Sequence, residues 1–134
     1  MKKYVLSYSS FLVCLFIAVF IPLSVFAQRP TLEEEQDFLY AEQLFHDNLF
    51  DLAALRFAGY AKDYPESVRA PEALLHSGES YAHLNEMEQA YQIYLELLLR
   101  YPKSSLIDRA QFNAGECLAT LNRHEDAGAD EAFS

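Results

Sequence analysis

The sequence predicts an all-α fold: an α-solenoid of antiparallel helix pairs, about two and a half repeats long, after an N-terminal signal helix. Three observations carry this prediction. The chain repeats every 37 residues: Asn48, Asn85 and Asn122 share that spacing, as do Ala53, Ala90 and Ala127 and the glutamates Glu42, Glu79 and Glu116. The pairs Tyr64-Pro65 and Tyr101-Pro102 fall on the same period. Between these marks, apolar residues recur three and four positions apart, the spacing of one helix face. Aligning residues 34–70 on 71–107 gives 8 identities, and aligning 71–97 on 108–134 gives 8 more. Units of this kind bury their apolar sides against one another and present an extended surface rather than a catalytic pocket.

The first 27 residues stand apart from the repeat. Lys2 and Lys3 make a positive start, the run from Phe11 to Ile21 is apolar, and Val25-Phe26-Ala27 supplies small-residue cleavage chemistry before Gln28. This layout reads as a secretory signal peptide over 1–27. The alternative is an uncleaved inner-membrane anchor, because Phe11 to Ala27 sits at the short limit of the roughly 17–25 residues that cross a bilayer. Cys14 follows bulky Val13 in mid-run, which does not suit a lipid-modified cysteine. Without Lys2 and Lys3, the 10 basic residues fall to 8 against 20 acidic ones, a net charge of −12. That acidity excludes nucleic acid as a partner, since phosphate binding needs a basic footprint. It favours cationic segments of other proteins. Of the 2 cysteines only Cys117 lies in the mature part, so no intrachain disulfide can form there. Beside Leu118 and Ala119 in a helical pattern, Cys117 reads as a small buried thiol.

Residues 28–31 form a linker, and residues 32–134 form the solenoid with an incomplete last repeat. Thr31 and Glu34 make a capping box for a first helix over Leu32 to Asp47, with Phe38, Ala41, Leu44 and Phe45 on one face. Asn48 then turns the chain, because asparagine tolerates the left-handed conformation that closes a helix. A second helix from about Phe50 to Asp63 turns Ala53, Phe57 and Tyr60 inward. It ends before Pro65, which disfavours helix at Tyr64. In the second unit, Pro71 suits a first helical turn, and Leu74, Gly78, Tyr81 and Leu84 carry the packing stripe. After Asn85 a helix from about Glu86 to Arg100 carries Ala90, Ile93, Tyr94 and Leu97, and Tyr101-Pro102 closes it. The third unit starts near Leu106 with Ala110, Ala114, Gly115 and Leu118. It is expected to turn at Asn122 and begin another helix at Glu125. There Glu131 stands where Phe57 and Tyr94 stood, and Gly128 weakens the helix by ~1 kcal/mol. Truncation of a longer protein is therefore expected.

Gly78, Tyr81, Ala90, Tyr94 and Pro102 have the order and spacing of a tetratricopeptide repeat. Ala41, Leu44, Ala53, Phe57 and Pro65 match it in the first unit, and Gly115, Leu118 and Ala127 in the third. The resemblance covers residues 33–127. The period, joined to a signal peptide, resembles the bacterial envelope subset, similar to the repeats of the Tol-Pal-associated periplasmic protein and of the outer-membrane assembly lipoprotein. It departs from these in lacking the lipoprotein cysteine and the coiled coil that precedes the repeats in the former.

The resemblance implies that the first helix of each unit lines a concave groove. That groove would show Glu35, Phe38, Glu42 and His46 from unit one, Glu72, Leu75, Glu79 and His83 from unit two, and Arg109, Phe112 and Glu116 from unit three. The expected surface has apolar spots at Phe38, Leu75 and Phe112 beside a ladder of carboxylates, suited to an extended or helical segment bearing lysine or arginine. The alternative is that these glutamates only solvate a helix face. His46 and His83 would be neighbours across adjacent repeats, with Glu42 and Glu79 one turn before them. The chain offers no compact metal-ligand motif. Such histidines would tune partner binding near neutral pH. Ser77 and His76 are adjacent and so point apart on a helix. Isolated glycines such as Gly59 make no phosphate cradle. The implied function is therefore an exported, periplasmic protein-binding scaffold of the cell envelope, with no enzymatic activity, metal or cofactor. Membrane contact is confined to the N-terminal segment if it is uncleaved. Self-association through the exposed third repeat is the alternative, as is a role as the N-terminal fragment of a larger assembly protein.

Overall fold

The structure is a computed structural model that describes residues 30–131, with side chains described to residue 124. The predicted signal segment over 1–27 lies outside the described residues. Among the described residues there are five helices and no strand: α1 Leu32–His46, α2 Phe50–Asp63, α3 Ala70–His83, α4 Met87–Arg100 and α5 Ile107–Glu131. Each packs on its neighbour in sequence, because the turns between them are too short to reach any other element. None of the described helices is long and apolar enough to cross a membrane.

The punctuation works as its chemistry dictates. Thr31 Oγ1 accepts from the Glu34 backbone N–H at 3.1 Å and so caps α1. Asn48 and Asn85 both adopt φ 60°. At the first turn the Leu49 N–H donates to Leu44 C=O at 2.9 Å, and the Asn48 N–H to Phe45 C=O at 3.1 Å. The second turn repeats this, from Glu86 to Tyr81 at 2.9 Å and from Asn85 to Ala82 at 3.0 Å. These paired bonds satisfy carbonyls that a helix end would otherwise leave without donors. The Tyr-Pro turns are also built alike. Ser67 Oγ accepts from the Arg69 N–H at 3.2 Å, and Ser104 Oγ from the Leu106 N–H at 3.2 Å.

The third asparagine breaks the pattern. Asn122 lies inside α5, which runs without interruption from Ile107 to Glu131, so neither the predicted turn nor a separate helix at Glu125 forms. A left-handed residue costs about 1–2 kcal/mol unless packing offsets it. At the first two turns the offset comes two residues later: Phe50 stacks in an aromatic cluster and Met87 packs on the core. The equivalent residue in the third unit is His124, which is exposed.

The core runs between the helix pairs. Phe38, Ala41, Ala53 and Phe57 are fully buried in the first pair; Leu74, Leu75, Ala90, Tyr94 and Leu97 are buried in the second. Gly78 is required where α3 meets α4, since a Cβ there would come within 2.8 Å of Cδ1 and Cζ of the buried Tyr94 ring. Polar links join the layers. Ser77 Oγ, fully buried, donates to Ala54 C=O of α2 at 2.9 Å. Arg100 Nη2 donates to Ala61 C=O at 3.1 Å, and the Tyr101 hydroxyl to Pro65 C=O at 2.9 Å. The Tyr60 hydroxyl donates to Glu34 Oε1 at 3.0 Å and lies 2.8 Å from Ser67 Oγ. Burial pushes that phenol up to about 12, and hydrogen bonding to Glu34 adds to the rise against the opposing effect of Ser67.

Candidate functional site

The helices α1, α3 and α5 are the first helices of the three units and share one face of the solenoid. The two seams between them, α1 with α3 and α3 with α5, contain some of the residues expected in the groove and not others.

The α1–α3 seam is filled. Phe45 projects from α1 and is ringed by Phe50 at 5.4 Å, Phe57 at 6.4 Å, His76 at 5.4 Å and His83 at 5.9 Å between centroids. His83 stacks on Phe50 at 4.3 Å with the rings 10° from parallel. The other end of the seam is closed by Arg69. Its guanidinium carbon lies 3.4 Å from the centre of the Phe38 ring. Its nitrogens approach Glu35 at 3.5 Å and Glu42 and Glu72 at 3.3 Å each. One cation thus holds three carboxylates from two helices and covers an aromatic face.

The α3–α5 seam is open. It contains a cavity of about 690 Å³, within the range of roughly 300–1,000 Å³ that ligand sites occupy. Ala82, Met87, Tyr94 and Cys117 make its apolar surface, the Phe45, His76 and His83 rings of the first seam border it, Asn113 and Thr120 line the α5 side, and Glu79, Glu116 and Arg109 supply charge. Glu79 is held by His76 Nδ1 at 3.1 Å and by the Arg109 guanidinium. Among the described residues Glu116 has no ion-pair partner. Burial raises the Cys117 thiol, so the group is protonated and weakly nucleophilic near neutral pH. The Tyr94 phenol is raised by burial first and by the Glu79 charge second. A smaller depression of about 280 Å³ lies on the other side of Arg109, lined in part by Val68, Glu72 and Leu106.

The structure therefore rearranges the predicted groove. Phe38 and Leu75 do not line it: they are 0% and 1% exposed and pack into the helix pairs. Phe38 meets Phe57 and Tyr60 edge-on at 5.5 and 5.0 Å. Phe112, at the equivalent position, is 68% exposed and stands outside the cavity, because no helix folds back over it among the described residues. Glu35, Glu42 and Glu72 are on the expected face but are already engaged by Arg69. Glu79, His83, Arg109 and Glu116 do come together at the cavity. His46 is exposed near the end of α1, whereas His83 is taken into the aromatic cluster. Among the described residues no group of three or more His, Cys, Asp or Glu side chains could hold a metal ion.

Several residues of the two seams carry no mark in the sequence. Arg69 lies in an inter-repeat turn and has Leu106 as its counterpart, so periodicity hid it. The helical spacing places Phe45 on the core face of α1 and says nothing of its position between repeats. Ala82, Asn113 and Thr120 carry no chemistry that flags a site by itself.

Residues 72–104, which contain nearly all of α3, all of α4 and the turn after it, match the family model of the tetratricopeptide repeat. No curated protein matches the chain. The match identifies the repeat as such; repeats of this type are generally surfaces for binding other proteins, and the helical pairing seen here is that of an all-α repeat fold.

Proposed function

We propose that this chain is an exported scaffold of the cell envelope that holds a segment of a partner polypeptide in the groove between α3 and α5. The observation that carries this reading is the open α3–α5 seam: a cavity of mixed apolar and polar lining with Glu116 at hand and, among the described residues, without an ion-pair partner, on the face shared by the first helices of the repeat. The repeat match supports protein binding as the general role. The net charge of −12 without the first 27 residues supports a basic segment as the partner. The composition of residues 1–27 supports export to the periplasm, with an uncleaved anchor as the other outcome.

A photo-activated cross-linking residue at Thr120, compared with one at Leu99, tests the scaffold reading in cells that make the full chain. Thr120 lines the cavity and Leu99 is an 80% exposed residue of α4. Adducts are expected from Thr120 and not from Leu99, and in the envelope fraction. Equal adducts from both positions would overturn groove binding.

A second reading is favoured by one observation. On α5, Phe112 and Leu118 are 68% and 40% exposed, and the space beside Gly115 is open to 4 Å. This face suits self-association of the third unit. Light scattering over a micromolar concentration series is expected to show mass rising towards a dimer; a constant monomer mass removes this reading.

A further inference from the structure

Resting on the scaffold reading, we propose that the α3–α5 cavity is a seat for one aromatic side chain of the partner, with a lysine or arginine beside it in the partner's sequence. The basis is a repetition within the molecule. At the first seam the Phe45 ring is surrounded by Phe50, Phe57, His76 and His83. Moving each of these forward by one 37-residue period gives Met87, Tyr94, Asn113 and Thr120. All four line the cavity. The residue one period after Phe45 itself is Ala82, which also lines it. The second seam therefore reproduces the walls of the Phe45 seat while replacing the ring that fills it with a methyl group.

The chemistry of the walls selects the occupant. The Tyr94 ring and the Met87 thioether offer aromatic and sulfur contacts that favour a ring over an aliphatic chain. Cys117, 3% exposed and held protonated by burial, adds an apolar wall rather than a charge. The charged groups at the opening are unequal. Glu79 is paired with Arg109 and lies 3.1 Å from His76 Nδ1, whereas Glu116 is free among the described residues. A cation next to the aromatic residue would meet Glu116 without displacing an existing pair.

Titration of the ¹⁵N-labelled full chain with synthetic peptides tests this, observed through backbone amide shifts. The probe is Gly-Ser-Lys-Phe-Lys-Ser-Gly, compared with a twin carrying alanine for phenylalanine and another carrying glutamate for both lysines. The phenylalanine peptide is expected to shift the amides of Ala82, Met87, Asn113 and Cys117. Transfer of a phenyl ring out of water predicts that it binds about tenfold to a hundredfold tighter than the alanine twin. The glutamate twin should be weaker still. Ala82→Phe should fill the seat from within and abolish the response, with an unfolding midpoint equal to or above that of the parent. Glu116→Lys, at an exposed position, should weaken the lysine peptide several-fold and leave the midpoint unchanged. Equal affinity for the phenylalanine and alanine peptides would overturn the aromatic seat while leaving the Thr120 cross-linking result, and hence the scaffold reading, standing. No shift of any α3 or α5 amide at millimolar peptide would also overturn it. Cavity shifts that follow protein concentration without peptide would put a second copy there and overturn it in favour of self-association.

Discussion

The two seams between the first helices share one geometry and differ in what fills them. In the α1–α3 seam the Phe45 ring occupies the centre and Arg69 gathers Glu35, Glu42 and Glu72. Apolar surface is buried and acidic charge is neutralised, so this seam contributes to cohesion. In the α3–α5 seam Ala82 replaces the ring, Arg109 engages only Glu79 among the described residues, and about 690 Å³ remains open. Burial that one seam makes internally is left available to another molecule at the next. Because each repeat contacts only its neighbours, a solenoid can specialise one seam without disturbing the rest.

The strongest way to break this comparison is to make the first seam resemble the second. Phe45→Ala removes a half-buried ring that meets Phe50, Phe57, His76 and His83 across the seam. It is expected to destabilise the fold by about 2–4 kcal/mol, below or within the range for fully buried phenylalanine. Chemical denaturation followed by circular dichroism measures this. A loss under about 1 kcal/mol would mean that the ring does not hold the seam.

The next effect sharpens the contrast between complete and incomplete units. Gly78 and Gly115 are repeat equivalents, yet a methyl group at 78 would strike the Tyr94 ring, while at 115 nothing lies within 4 Å. Gly78→Ala should cost about 1–3 kcal/mol through overpacking. Gly115→Ala should gain about 0.5–1 kcal/mol from helix propensity alone. Opposite signs in thermal melts are the expected outcome. A loss at both positions would show that a helix packs over Gly115 in solution.

Most of the fold was legible because its marks are local. Asn48 and Asn85 need only the left-handed region, and Tyr64-Pro65 and Tyr101-Pro102 end helices by sterics within two residues. Asn122 shows the limit: the same residue builds a turn only where a following apolar side chain can pack, and His124 does not supply one. The site was legible in its acidic groups and not in its shape. Phe38 and Leu75 follow the same helical stripe as Ala41 and Gly78, and that stripe faces the second helix of the pair rather than the groove. How widely a stripe spreads around a helix is not encoded in spacing; it depends on how the neighbouring helices cross. The cavity itself was written in the alignment of the two units, as the change from Phe45 to Ala82 within a repeating wall. Identities reveal the period, but it is the departures from them that mark the cavity.

The smallest predicted effect concerns the cations. Arg69 and Arg109 each bridge two first helices, but only Arg69 lies over a ring and meets three carboxylates. Arg109 is 56% exposed and has Glu79 as its carboxylate among the described residues. Arg69→Met should therefore cost about 1–2 kcal/mol, combining a cation–π contact with several partly exposed pairs. Arg109→Met should cost about 0–1 kcal/mol, as a single exposed pair does. Salt separates the causes. Ionic strength near 1 M shortens the screening length to about 3 Å, which weakens exposed ion pairs while leaving the guanidinium's contact with the Phe38 ring. The gap between the two variants in denaturant midpoint should narrow in high salt but not close. If it closes, Arg69 acts by charge alone, and the two seams differ in their central ring rather than in their clamps.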